Sequence, residues 1–360
     1  MLRHQVLTRL AARFAVVWLE PPLGWRQYLS LRHGRFLHAD QWSTPVVGLD
    51  VLRPGFRHPT VIRPIWATKL AFKSRLATAR KQLLERGAER IALYIWRPQY
   101  AAALELIHHD WSCYHIDDEY SFSEQEVPTP ADEKALIGRV DHVIVHSAKL
   151  LEKKGGINPH TTLIPNGVDY AAFSLRHVEP NDLRDIPHPR IGYAGVIKRQ
   201  LNLKLLLDLA RRRSDLSFVL VGPVMNVSGK EQLVDALRGL PNVYFLGPRP
   251  AEMLPSYVQF FDVCLMCYEV NDYTKYIYPL KLHEYLASGQ PVVSSPIDSV
   301  LPFSNVVAIA GSEQEWLQAI DQSLEPDARE ATQIAIRQNK ARTYDWERIV
   351  ERIGHIFEGA

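Results

Sequence analysis

Residues 273–295, YTKYIYPLKLHEYLASGQPVVSS, carry the pattern on which the fold turns. Pro279 suits the first turn of a helix, where its missing N–H is not needed, and Gly289 suits the left-handed residue that ends one. The helix between them would aim its free backbone N–H groups, from Leu280 onward, at an anion, with Lys281 beside them. Glu284 falls one turn past Lys281 on the same face, so a cation and a carboxylate share one wall. A carboxylate so placed can accept from two hydroxyls of a ribose, each charge-assisted bond contributing ~1.5–3 kcal/mol. Taken alone, these residues read first as an exposed Lys–Glu pair on a surface helix.

Outward from that helix, short apolar, β-branched runs alternate with helical patterns. Strands are predicted at 15–19, 91–96, 112–116, 142–145, 162–164, 190–194, 217–221, 243–246, 263–266, 291–294 and 306–309. Helices are predicted at 201–213, 231–237, 251–260, 280–287 and 313–324. Such alternation is the signature of βαβ units and parallel sheets. At ~150 residues per domain, 360 residues make two domains. The polar, proline-bearing stretch RHVEPNDLRDIPHP, residues 176–189, is the best linker. The expected parts are an N-terminal domain over 1–178, a C-terminal domain over 179–343 and a closing segment over 344–360. That last segment reads as an amphipathic helix with Trp346, Ile349, Val350, Ile353 and Phe357 on one side. A helical pattern at Arg3–Arg13 precedes the first strand, so either the N-terminal sheet is short by one strand or the true start lies upstream of Met1.

Composition narrows the class. With 46% apolar and 23% charged residues, the chain is an ordinary globular protein. No apolar run approaches the ~20 residues that span a bilayer. The opening MLRHQVLTRLAARF lacks the apolar segment of a secretory leader, and three cysteines are too few for a disulfide framework. A reduced, cytoplasmic protein is expected. The net charge of +2 hides a split, because residues 1–113 carry 17 Lys and Arg against 7 Asp and Glu, whereas 114–360 carry 25 against 33. The N-terminal half should therefore face something anionic. From Trp66 to Leu84, bases including Lys69, Lys73, Arg75, Arg80 and Lys81 alternate with apolar residues at roughly helical spacing. A basic amphipathic helix of this kind can rest on an anionic membrane surface, here the inner face, although a solvated helix with its apolar side in the core has the same pattern. No nucleic-acid partner is expected, since no recognition motif accompanies the charge. No G-x-G-x-x-G or P-loop appears, which counts against a dehydrogenase or NTPase.

The segment PLKLHEYLASGQPVV resembles the donor-site motif of glycosyltransferases with the GT-B fold, of the glycosyl transferases group 1 or family 4-like kind, particularly bacterial exopolysaccharide and lipopolysaccharide enzymes. IPNGVDYAAF (164–173), RIGYAGVI (190–197), SFVLVGPV (217–224), the run 242–269 and YDWERIVERI (344–353) agree with it. The resemblance implies an α/β protein of two Rossmann-like, doubly wound domains facing each other across a cleft. It implies a metal-independent transfer of a sugar from a nucleotide diphosphate-sugar to a glycan or lipid-linked acceptor in bacterial polysaccharide biosynthesis, with no cofactor besides that donor. Residue by residue, it puts the ribose on Glu284, and the diphosphate on Lys281 and the amides around Leu280. It brings backbone close to the phosphates at Gly195 and lines the nucleobase pocket with the Gly247–Arg249 loop, Arg249 included. Two positions depart from the family. Tyr276, among the donor-site positions, stands where many retaining members carry a second glutamate. A basic pair that often follows the glycine falls on Val196 and Asn202, leaving Lys198, Arg199 and Lys204 nearby to replace it.

For chemistry, YHIDDEYS (114–121) follows a strand and should lie at the sheet's C-terminal edge, facing the cleft. An acceptor hydroxyl is a poor nucleophile at neutral pH, so an inverting transfer needs a positioned base. Asp118 matches the catalytic aspartate of xanthan-type glucuronosyltransferases, which show a similar Tyr-x-x-x-Asp run. His115 and Asp117 are in reserve, and a helix N-cap or loop carboxylate is the plain alternative. Asp117-Asp118-Glu119 could also be the metal-binding acidic motif of the other glycosyltransferase fold, but that fold has a single nucleotide-binding domain. Cys264 and Cys267 lie in an apolar strand on opposite faces and read as core residues, so no metal site is expected. Two rivals remain: an epimerase-like enzyme of the same fold that rearranges a nucleotide sugar, and a catalytically silent partner subunit that binds one.

Overall fold

The computed structural model describes residues 2–21, 41–53, 65–120 and 129–359. Residues 54–64 of the basic stretch and Ser121 of the candidate catalytic segment lie outside them. Each predicted strand appears, with ends within two residues of expectation. The chain opens on α1 (Leu2–Leu10), followed by β1 (Val16–Leu19), β2 (Gln41–Val46) and β3 (Leu49–Arg53). These strands make a sheet of order β1-β3-β2, in which β1 is parallel and β2 antiparallel to β3. After α2 (Ile65–Glu85), the strands β4 (Ala92–Ile95), β5 (Trp111–Ile116), β6 (His142–Val145) and β7 (Thr161–Leu163) form an all-parallel sheet in chain order.

Sequence reasoning missed β2 and β3, for a physical reason. The first is polar, exposed and interrupted by Pro45, and the second carries Asp50 among buried neighbours. Burying that carboxylate is tolerable because Arg86 pairs with it at 2.5 Å while Thr44 and Gln82 donate to it at 2.8 and 2.9 Å. Arg75 needs a similar correction. It was counted among the bases of an exposed amphipathic face, yet it is buried and donates to the Glu20 carbonyl oxygen at 2.6 Å.

In the C-terminal half, β8 (Arg190–Ala194), β9 (Ser217–Val221), β10 (Val243–Gly247), β11 (Val263–Met266), β12 (Val292–Ser294) and β13 (Ala308–Ile309) build one parallel sheet. Its order is β10-β9-β8-β11-β12-β13, the doubly wound arrangement in which successive strands run outward from the centre in both directions. Cys264 and Cys267 are buried in its core, as expected. The predicted linker is not loose. Asn181–Arg184 is a helical turn, and Leu183 and Ile186 are buried in the C-terminal core. Val168 and Phe173 already belong to that core, so by packing the boundary falls earlier than the expected 178/179.

The chain crosses back at its end. The Val168 N–H donates to the Tyr344 carbonyl, and the Trp346 N–H donates to the Val168 carbonyl, both at 2.9 Å. Beyond this junction α5 runs over Trp346–Glu358, α3 and α4 being Ala148–Lys154 and Leu280–Ser288. It buries Trp346, Ile349, Val350 and Ile353 against Val6, Leu10, Trp96, Cys113 and Ile144 of the N-terminal half. Arg9 pairs with Glu347 at 2.7 Å, and Arg13 with Glu358. The opening helix thus serves as a platform for the closing one. Truncating Ile353→Ala removes a fully buried branched side chain at this contact and should cost about 2–5 kcal/mol. Urea unfolding followed by tryptophan fluorescence measures it, and an unchanged midpoint would show that α5 does not brace the N-terminal half.

Candidate active site

The site begins where parallel strands end. Gly195 follows β8 at φ +139° and Gly222 follows β9 at φ +144°, conformations that side chains rarely adopt. A Cβ on Gly195 would stand 2.5 Å from Lys281 Nζ, and one on Gly222 would stand 2.0 Å from the Gly195 carbonyl oxygen. The two missing methyl groups therefore let the strand ends close on one another and let Lys281 reach the edge of the sheet. The winding reverses between β8 and β11, and ligands of such sheets bind in the crevice outside the strand ends at that point.

Helix α4 directs its start at this crevice. Pro279 is the N-cap residue, one position earlier than the first-turn place read from the sequence, and Gly289 ends the helix at φ +81°. The first N–H groups, including those of Leu280 and Lys281, have no intrahelical acceptor. The Lys281 ammonium lies 4.9 Å from the centroid of the Tyr193 ring and has no hydrogen bond or ion pair with any described residue. Burial pulls its pKa down to about 8, opposed by the charge of Glu284 and reinforced by Lys198. The Glu284 carboxylate is likewise without a hydrogen-bond or ion-pair partner among the described residues, and its burial raises its pKa against the pull of Lys281. Two charges partly withdrawn from water without protein partners are costly unless a ligand completes them. His283, on the same helix, is fully buried, stacked on Tyr344 at 4.0 Å, with Tyr278 Oη 2.9 Å from its Nε2. Burial takes its pKa down to about 3.

The segment between β11 and α4 reaches into the N-terminal half. Tyr276 is buried among Ile95, Tyr114 and Ile116, and its carbonyl accepts from Ser147 Oγ at 2.9 Å. The Tyr278 carbonyl accepts from Asn166 Nδ2 at 2.8 Å. Read from sequence as a donor-site position, Tyr276 sits in the junction of the two halves. Immediately before the short turn Thr274–Tyr276, Tyr273 Oη donates to Asp118 Oδ1 at 3.2 Å. The Glu119 N–H donates to the same oxygen at 2.8 Å, which leaves Oδ2 without a partner among the described residues.

The neighbours of Asp118 are engaged elsewhere. Asp117 pairs with Arg3 at 3.2 Å and accepts from Tyr120 Oη. His115 is buried, shares a 2.6 Å bond between Nδ1 and Tyr94 Oη, and stacks on Trp96 at 4.0 Å. Burial holds its pKa well below the usual value, so it stays neutral. Glu119 meets Lys154 at 3.1 Å in a buried network that includes Glu133, 2.8 Å from the same ammonium. The three adjacent acids point to three different partners. Among the described residues no group of three or more His, Cys, Asp or Glu is arranged to hold a metal ion.

Arg249 has protein partners of its own. Its Nε donates to Tyr257 Oη at 2.7 Å and it pairs with Asp182 at 2.5 Å, which fastens the Gly247–Arg249 loop to the former linker. Lys198, in the loop after β8, is close enough for its charge to act on Lys281. Sequence reasoning passed over Gly222 and Tyr273. The glycine was visible as the end of SFVLV, whereas the tyrosine acts on a carboxylate 155 positions away.

Residues 188–325 match the family model described as Glycosyl transferases group 1. A Bacillus subtilis (strain 168) protein, TuaH, whose name assigns it to teichuronic acid biosynthesis as a glycosyltransferase, is 31% identical over 235 residues, or 61% of this chain. The match spans 57% of that relative's length. Among solved structures, trehalose-6-phosphate synthase OtsA superposes with a TM-score of 0.71 at 12% identity, covering 99% of this chain and 94% of that one. A trehalose-6-phosphate structure from E. coli, bound with UDP-2-fluoroglucose, gives 0.68 at 12%, covering 97% and 94%. A glycosyltransferase from Rickettsia africae ESF-5 gives 0.62 at 13%, covering 81% of each chain. The chain has the GT-B fold, and the part of it that matches the glycosyl transferases group 1 model is residues 188–325.

The lowered pKa of Lys281 has a signed consequence. Only its charged form can pair with an oxyanion, and that charge is lost as pH rises through about 8. An anion that pairs with the ammonium draws the proton back, so binding of inorganic pyrophosphate at about pH 9 should take up a proton and weaken steadily above that pH. Calorimetry in two buffers of different ionisation heat reads the uptake, which Lys281→Met should abolish.

Proposed function

We propose that the protein is a glycosyltransferase that moves a sugar from a nucleotide diphosphate-sugar to a glycan or lipid-linked acceptor in bacterial polysaccharide biosynthesis. The observation that carries this is the pair Lys281 and Glu284. They form a cation and a carboxylate one helical turn apart, neither with a hydrogen-bond or ion-pair partner among the described residues, at a helix start packed against a glycine strand end. A diphosphate satisfies the ammonium and the first amides of α4, and a ribose satisfies the carboxylate. As the glycosidic bond to the donor breaks, negative charge grows on the leaving diphosphate, and Lys281, Lys198 and the α4 amides lie where they can stabilise it without a metal ion. Asp118 is the base. Its Oδ1 is anchored by two donors and its Oδ2 is open to take a proton from the acceptor hydroxyl. The other two candidates are committed to structural partners, which favours Asp118 over His115 and Asp117.

Titration with nucleoside diphosphates and their sugars identifies the donor. Glu284→Ala should weaken nucleotide binding roughly tenfold to a hundredfold, the loss of one or two charge-assisted hydrogen bonds. Asp118→Asn should leave that affinity alone and lower turnover by about 10²–10⁴ with an acceptor in hand. Parental affinity in the first variant, or parental turnover in the second, removes the corresponding assignment.

The acceptor side works at the cytoplasmic face of an anionic membrane in this proposal. No helix among the described residues is long and apolar enough to cross a membrane. Instead α2 presents Trp66, 66% exposed, and Leu70, 61% exposed, beside exposed Lys69 and Lys73. Each basic residue near such a surface contributes ~1 kcal/mol, enough together for reversible, salt-sensitive docking. Reversing Lys69, Lys73 and Lys81 to Glu should reduce pelleting with anionic liposomes and leave nucleotide affinity unchanged. Equal pelleting of the parent with neutral and anionic liposomes would overturn the membrane assignment.

A further inference from the structure

A half-open pocket lies in the N-terminal half. It has a volume of about 530 Å³ and is lined by Arg3, Pro21, Arg97, Pro98, Gln99, Tyr100 and Tyr120. Its floor is tied to the catalytic segment, because Arg3 and Tyr120 both bond Asp117, the residue before Asp118. The charges do not balance. Arg3 has one carboxylate, Asp117, at 3.2 Å, and its Nε is buried without a hydrogen-bond partner. The Arg97 guanidinium lies 4.8 Å from the centroid of the Tyr120 ring and has no ion pair or hydrogen bond with any described residue. Two guanidinium groups and two tyrosine rings therefore line one small space, and the nearest carboxylate, that of Asp117, stands behind the lining, bonded to Arg3 and Tyr120.

We infer that this cavity is an acceptor subsite for a sugar carrying an oxyanion, either the carboxylate of a uronate or a phosphate. A guanidinium fork matches either group in a bidentate fashion, and the cavity is of a size that accommodates a small ligand. The tyrosine faces offer apolar surface to a pyranose ring, with the Gln99 amide as a further donor and acceptor. The excess of bases in residues 1–113 gives the same sign of field at longer range. The assignment rests on the glycosyltransferase reading for the word acceptor, but anion binding here is separable from it.

Saturation-transfer NMR on the full chain, with methyl β-glucuronide, glucose 1-phosphate and uncharged methyl β-glucoside as probes, tests the subsite. Lys281→Ala serves as a second background to exclude binding at the donor crevice. Arg97→Gln should weaken one or both anionic probes tenfold or more, leave the glucoside unaffected, and shift the melting temperature little, since the Arg97 guanidinium has no ion pair among the described residues and lies against the Tyr120 ring face. Loss for the glucuronide alone identifies a uronate acceptor, and loss for the phosphate alone a phosphorylated one. The subsite is refuted if Arg97→Gln binds both anionic probes like the parent, if the parent binds no anionic probe better than the glucoside, or if Lys281→Ala abolishes the binding. Should the anionic probes bind as stated while no nucleoside diphosphate binds near Glu284, the glycosyltransferase reading fails and the anion subsite stands.

Discussion

Two backbone hydrogen bonds, from Val168 to Tyr344 and from Trp346 back to Val168, clasp the outgoing and returning chain at the one place where both pass between the domains. Each contributes only about 1 kcal/mol net. Their consequence is geometric, because they fix where α5 enters the N-terminal half and hence where its four buried side chains must pack. Asn166, two residues before the clasp, is then in place to hold the Tyr278 carbonyl, and Ser147 to hold that of Tyr276. These contacts run along the segment leading into α4, so the helix that carries Lys281 and Glu284 is positioned from both domains. The bond from Tyr273 to Asp118 closes the same loop of contacts across the cleft.

Structural and functional charges separate cleanly in this molecule. Lys154 is fully buried yet has Glu119 and Glu133 within 3.1 Å, and Asp50 has Arg86, Thr44 and Gln82. A buried ion kept for structure is surrounded by partners, because otherwise its desolvation would not be offset. Lys281, Glu284 and Arg97 lack such partners among the described residues. Incomplete coordination, more than burial or charge alone, distinguishes the residues assigned to ligands from those that brace the fold.

Much of the C-terminal half was legible from the sequence because its information is local. Parallel strands covered on both faces read as apolar runs, and Gly195, Lys281 and Glu284 follow from strand-end and helix-start chemistry within a few residues of themselves. The N-terminal half was less legible where partners are distant. Asp50 looks forbidden in a strand until Arg86 is known, and Arg75 looks solvated until the Glu20 carbonyl is known. The protein partners of Arg249 and Tyr276 were illegible for a related reason, since Asp182 and the core around Tyr114 are both far from them in sequence.

The packing of His283 sets a limit on the conditions in which the site can exist. An imidazole enclosed by Tyr344, Phe303 and Tyr278 is neutral in the fold, with a pKa of about 3, and titrates near 6.5 once released. Between those values the unfolded chain holds a proton that the folded one refuses, so stability falls as pH drops from about 6.5 toward 3. The penalty lands on α4 itself. Mild acid thus draws down the stability of the fold through a residue of the very helix that bears Lys281 and Glu284.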